Sequence, residues 1–177
     1  NEPVRLNEVN IQWSGAAADD PEFKRLLIDT PLKTGDLLHH GVYEQFKKQI
    51  LTLSRQRGYF DGEISDSRIE VNSQDNLANV KLHFHSGQRY RFGTTTYNNE
   101  LLAPSQLKGI KTFQQGQYFD LALLQQYQVQ IQQTQYYSGV IVKPLLEDIR
   151  GEQVPLSVSL FPAKSHYYDI GVGYSTD

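Results

Sequence analysis

Cysteine and methionine are both absent from the 177 residues, tryptophan occurs once, and neither sign of charge dominates. Without cysteine there is no disulfide framework and no thiolate-held zinc, and the redox compartment is left open. Methionine is missing even at position 1, so the chain is expected to be a processed or excised part of a longer translation product; its opening NEPVRL has no signal-peptide character. No apolar run approaches the roughly 18 to 20 residues of a spanning helix. The 17 basic and 20 acidic residues sum to −3 and are spread along the chain, which excludes a basic field for nucleic acid and a polybasic membrane patch. Also missing are G-x-S-x-G, H-E-x-x-H, a phosphate-cradling glycine loop and a cysteine nucleophile. The expectation is a protein that is not an enzyme and carries no cofactor and no metal.

What is present is pattern. Residues 4–13 read as a strand with Val9, Ile11 and Trp13 on one side. PEFKRLLI predicts a short helix with proline at its first position. Residues 40–57 predict a longer helix, because Tyr43, Phe46, Ile50 and Leu53 make one apolar stripe at spacings of 3, 4 and 3. In the following RQRGYFDGEI, Gly58 is read as a left-handed helix stop, with Tyr59 and Phe60 as core anchors that pin the helix end to the next sheet. Two alternating segments, around 63–71 and 79–85, flank the hairpin loop NSQDNL.

The order strand, helix, helix, strand, strand then recurs as YRFGTTTY, APSQLKGI, a long helix capped by Asp120, and two further strands. Tyr43, Phe46 and Ile50 return as Leu124, Tyr127 and Ile131, each 81 positions on; Gly35 and Gly116, and Gly58 and Gly139, keep that shift and are read as structural positions flanking the helices. A repeat this long is a duplicated domain. The fold class is therefore α+β: two tandem β-α-α-β-β modules, each a small sheet packed against two helices. The short HSGQRYRFG between them has no Ser or Pro run and should restrict their relative orientation.

Other features have plainer readings. Pro144 in mid-strand marks an edge strand, while Pro155 near the start of the next is tolerated. The glutamine-rich QQYQVQIQQTQ is an amphipathic helix with an uncharged outer face. His83 and His85 share a strand face and His39 and His40 are adjacent, but neither pair has further ligands, so they read as exposed strand and helix-start residues. Asp19 with Asp20 and Glu147 with Asp148 read as solvated turn residues. Near the C-terminus Tyr168, Ile170, Val172 and Tyr174 alternate with small or polar residues, the pattern of a transmembrane barrel strand, with no counterpart after the first module.

The element order resembles the polypeptide-transport-associated (POTRA) domain. GVYEQFKKQILTLSRQRGYFDGEI resembles the second such domain of the translocation and assembly module family, TamA; SGQRYRFG resembles that family's linker, and GVGYSTD is similar to the start of its barrel. YNNELL departs from the family, which usually has a glycine closing that strand. The resemblance divides the chain into 1–89, like TamA POTRA 2, 90–165, like TamA POTRA 3, and 166–177, the truncated start of the first transmembrane β-barrel strand.

It further implies the periplasmic face of a Gram-negative outer membrane, with anchoring by a C-terminal barrel outside this chain. The implied role is to help insert and fold outer-membrane β-barrel proteins and autotransporters. The implied partners are outer-membrane protein clients and a TamB-like inner-membrane-anchored protein, the latter met mainly through a missing first module. BamA, a two-partner secretion transporter and a periplasmic division scaffold are the rival assignments. An exposed sheet edge would recognise extended clients by β-augmentation, through unpaired main-chain groups. The candidate edges are 64–71, carrying Ile64, Ile69 and Val71, and 140–146, carrying Val140, Ile141, Val142 and Lys143 before Pro144 interrupts the ladder. By resemblance, Gly171, Val172, Gly173, Tyr174, Ser175 and Thr176 form the barrel strand at a lateral seam.

Overall fold

The computed structural model describes residues 3–163. The seam residues expected at 171–176 lie outside the described residues. Two small three-stranded sheets, each with helices on one face, make a mixed α+β fold. The first module runs β1 (Arg5–Ser14), a 3-10 turn (Ala16–Asp19), α1 (Pro21–Ile28), α2 (His40–Gln56), β2 (Glu63–Asn72) and β3 (Leu77–His85). The second runs β4 (Arg91–Tyr97), α3 (Pro104–Gly109), α4 (Leu121–Gln133), β5 (Tyr137–Pro144), a 3-10 turn (Leu146–Asp148) and β6 (Gln153–Pro162).

In each module the last strand lies in the middle. The orders are β1-β3-β2 and β4-β6-β5, with the first strand parallel and the hairpin partner antiparallel to the central one. The central strands show the cleanest alternation. Ala78, Val80, Leu82 and Phe84 of β3, and Val154, Leu156, Val158 and Leu160 of β6, are all buried. The stripe of α2 (Tyr43, Phe46, Ile50) covers the first set, and that of α4 (Leu124, Tyr127, Ile131) covers the second.

The duplication extends to hydrogen bonds that the periodicity does not reveal. Gly35 (φ 94°) and Gly116 (φ 83°) each donate a backbone N–H to the first strand of their module, to Leu6 and Phe92, both at 2.7 Å. Each also accepts from an arginine of that strand, Arg5 and Arg91, both at 2.9 Å. The two arginines stand 86 positions apart, not 81. The first module has the longer path from strand to glycine, which includes the 3-10 turn, and this breaks the simple register.

The two long helices end differently. α2 closes with Gly58 at φ 84°, Tyr59 N–H bonded to Ser54 C=O at 2.9 Å and Gly58 N–H to Arg55 C=O at 3.4 Å, the Schellman arrangement. The expected counterpart Gly139 does not flank a helix: it lies inside β5, and α4 stops at Gln133. The left-handed position after α4 is taken by Gln135, at φ 63°. Pro144 also shifts from its expected place, being the last residue of β5 and not its middle. Pro155, which has no N–H, lies on β6 beside a bulge in β4, where the Cα of Gly93 comes so close that a Cβ would lie 2.8 Å from Val154 O.

Candidate functional site

Two features bear on the candidate edges: the margins of the two sheets, and the joint between the modules. The outer strands are β1 and β2 in the first sheet, β4 and β5 in the second. The first strand of each module starts under a strap. Leu6 N–H donates to Asp36 C=O and Phe92 N–H to Gln117 C=O, both at 2.8 Å, so the segments after Gly35 and Gly116 occupy these margins. Lys111 guards β4 further along, reaching Thr95 Oγ1 at 2.8 Å with its Nζ over the Phe113 ring.

The margin of β5 is blunted by two residues. Val142 N–H, turned away from β6, donates to Gln128 Oε1 of α4 at 3.0 Å. By the two-residue alternation of an antiparallel ladder, Val140 and Pro144 share that side, and Pro144 has no N–H to offer. Ile141 stands half-exposed on the sheet face beside Lys143. The proline was visible in the sequence. Gln128 was not, because nothing separates it from its glutamine neighbours on α4.

The outer margin of β2 is different. Among the described residues, no backbone–backbone hydrogen bond outside its ladder with β3 reaches its ten residues, and its register is unbroken from Asp66 to Asn72. Ile64 and Ile69 are partly buried against the first core, while Val71 is half-exposed at the open end. The opposite face of this sheet is polar. His83 Nδ1 pairs with Ser65 Oγ at 2.8 Å and His85 Nδ1 with Ser14 Oγ at 2.9 Å. Among the described residues no group of three or more His, Asp or Glu side chains is placed to hold a metal ion.

The joint is built around Asp20. Its Oδ1 caps α1 by accepting Glu22 N–H at 2.9 Å. Its Oδ2 accepts from Arg57 Nε at 2.9 Å and the Tyr59 hydroxyl at 2.8 Å, with Arg89 Nη1 3.6 Å away. The solvated surface position expected for Asp20 is thus overturned, since the residue is only 4% exposed. Neighbouring Asp19 does stay in solvent, paired with Lys24. Burial alone pushes the Asp20 carboxyl up, but the bonds from Arg57, Glu22 N–H and Tyr59 outweigh it, and the net position is below the ordinary carboxylate value.

Around this carboxylate, residues of one module are tied to the other. Arg57 Nη1 lies 3.7 Å from Oδ2 of Asp120, the residue that caps α4. Arg89 Nε donates to Arg57 C=O at 2.8 Å and Arg89 Nη2 to Phe119 C=O at 3.3 Å. Tyr90 N–H donates to Gly58 C=O, and its hydroxyl to Asp61, both at 2.8 Å. The two aromatics behind Gly58 divide between the modules. Tyr59 enters the first core edge-on to Phe23 (centroids 5.5 Å), whereas Phe60 packs against the second core, 4.9 Å from Phe119 and 5.7 Å from Tyr90. Both are expected from the sequence to be core anchors that pin the helix end to the next sheet; in the structure they pack into two different cores. The chain turns here, with Gly62 N–H donating to Tyr59 C=O at 3.1 Å, and Phe60 at the turn faces the neighbouring module while Tyr59 stays in the first core.

Comparison with known proteins agrees with this architecture. Residues 5–87, which hold the first module from β1 to β3, match the family model POTRA, surface antigen variable number repeat. Among solved structures, the chain is similar to the Haemophilus influenzae BamA POTRA3-5 fragment at 16% identity and TM-score 0.59, covering 89% of this chain and 61% of that one. It is similar to Haemophilus ducreyi BamA lacking POTRA domains 1-3 at 17% identity and TM-score 0.65, covering 90% of this chain and 29% of that one. It is also similar to POTRA1-2 of Omp85 from Anabaena, at 15% identity and TM-score 0.57, covering 93% of this chain and 99% of that one. At these identities the likeness establishes fold. The class defined is a POTRA-fold tandem, of the kind carried by BamA and Omp85 proteins. The chain spans about 61% and 29% of the two BamA chains.

Proposed function

We propose that this chain is the periplasmic POTRA region of a TamA-like outer-membrane assembly factor, with modules at 1–89 and 90–165 and the start of a barrel strand at 166–177. In this reading it helps outer-membrane β-barrel proteins, autotransporters among them, to insert and fold. Its partners are those clients and a TamB-like protein anchored in the inner membrane; the outer membrane is reached through a barrel outside the chain. The POTRA match over 5–87 supports the class. The TamA-like assignment rests on the resemblance of the helix-to-RGYF segment and of GVGYSTD.

The observation that carries the binding mode is the open margin of β2. An extended client pairs along 66–72, using main-chain groups for affinity and placing alternate apolar side chains beside Ile69 and Val71. Such a partner is recognised by its alternation more than by its sequence, as suits an assembly factor with many barrel-strand clients.

The test is site-specific photo-crosslinking to a peptide of one outer-membrane barrel strand. The photoreactive residue replaces Arg68 or Glu70 on β2, or Ile141 or Lys143 on β5. Adducts concentrated on β2 are expected. Equal or stronger adducts on β5 would refute the assignment of the edge.

A further inference from the structure

The ties across the joint have a consequence independent of which client binds. We propose that the joint is a lock that holds the two modules as one strut, so that the β2 edge keeps a fixed orientation relative to the second module in solution. Modules joined by an ordinary linker move by default, and a lock requires ties on several sides of the pivot. Here they differ in kind and direction. Arg57 reaches the capping carboxylates of helices in both modules, Asp20 and Asp120. Arg89 bridges two backbone carbonyls, one from each module. Phe60 fills a place in the second core from a position in the first module.

The connecting residues are themselves immobilised. Ser86 is fully buried, its N–H bonded to Ser14 C=O and its hydroxyl accepting from Ala17 N–H, both at 2.9 Å. Gly87, at φ 64°, accepts Ala16 N–H at 3.0 Å. Arg89 lies against Tyr59 on one side and Tyr118 on the other, with ring centroids at 5.8 and 4.9 Å. The side chains of Arg57 and Arg89 are less than a fifth exposed, so salt screens their ion pairs less than surface ones.

The absence of cysteine makes the test direct, because two introduced cysteines take spin labels cleanly. Lys48→Cys on α2 and Gln132→Cys on α4 are exposed positions outside the joint. Electron–electron double resonance on the doubly labelled chain should give one narrow distance distribution. Adding Arg57→Gln and Arg89→Gln should broaden it. Arg89→Lys keeps the charge but cannot span both carbonyls, and it should broaden the distribution while circular dichroism stays unchanged; this variant decides the matter if the double variant fails to fold. A broad distribution in the otherwise unaltered labelled chain, or one left narrow by Arg89→Lys, would overturn the lock.

Discussion

Gly58 and Phe119 belong to different modules, yet a Cβ on Gly58 would lie 2.7 Å from the Cβ of Phe119. The glycine therefore has two duties. It takes the left-handed backbone that ends α2, and it lets Phe119 approach the helix end directly. Any side chain here is strained by backbone and neighbour at once.

Gly58→Ala should therefore cost more than the usual left-handed penalty of roughly 1–2 kcal/mol. With displacement of Phe119 added, a loss of about 3 kcal/mol is expected. Urea unfolding monitored by tyrosine and tryptophan fluorescence measures it. A shift of only a few tenths of a kcal/mol would mean that the modules yield freely around Phe119.

Phe60→Ala removes a side chain encoded in the first module from the core of the second. Phe60 is only partly buried, so the cost should fall below the 3–5 kcal/mol of a full core deletion, at about 2 kcal/mol. The location of the effect is more telling than its size. Amide exchange should accelerate in β4 and β6 while β1 and β3 keep their protection. Equal loss in both sheets, or loss confined to the first, would contradict the assignment of Phe60 to the second core.

The helices and central strands were legible because their burial follows one period each. Tyr43, Phe46 and Ile50 repeat as Leu124, Tyr127 and Ile131, and both triplets are buried. The joint was less legible, since it depends on long-range pairing that no local pattern encodes. Asp20 looked like one of two exposed turn carboxylates until Arg57, 37 positions away, closed on it. Gly139 shared a register with Gly58 by number but not by conformation, since the second long helix ends earlier and its strand begins sooner. The edge at Pro144 was marked by its chemistry, whereas the Gln128 bond that blunts the same edge left no trace in the sequence.

Gln135 holds a conformation that glycine holds after α2, at φ 63°. Its N–H still bonds to Gln132 C=O at 3.1 Å, so the cap is formed despite the side chain. Relief of the left-handed strain should outweigh the greater chain entropy of glycine in the unfolded state. Gln135→Gly is expected to stabilise the chain by about 1 kcal/mol, read as a higher urea midpoint with unchanged slope. No change or a loss would mean that the Gln135 side chain contributes more than its backbone strain costs.

Acid should weaken the joint through Asp20. Its carboxyl sits below its ordinary value of 3.8, so the folded state holds the proton less tightly than the unfolded chain does. The corresponding stability is fully present above pH 3.8 and is lost as pH falls towards the lower folded value. Asp66 is also displaced, to about 2, first by its bond from Arg68, so acid sensitivity in the unaltered chain has more than one source. The difference between the parent chain and Asp20→Asn isolates the joint. At neutral pH the variant should be about 3 kcal/mol less stable, because Arg57 and Arg89 lose the charge they converge on. Between pH 5 and 2 its stability should fall less steeply than the parent's, bringing the two curves together. Urea unfolding over a pH series would show this. Parallel curves would mean that Asp20 keeps an ordinary pKa and that Arg57 and Arg89 are held by their other partners, Asp120 and the backbone carbonyls.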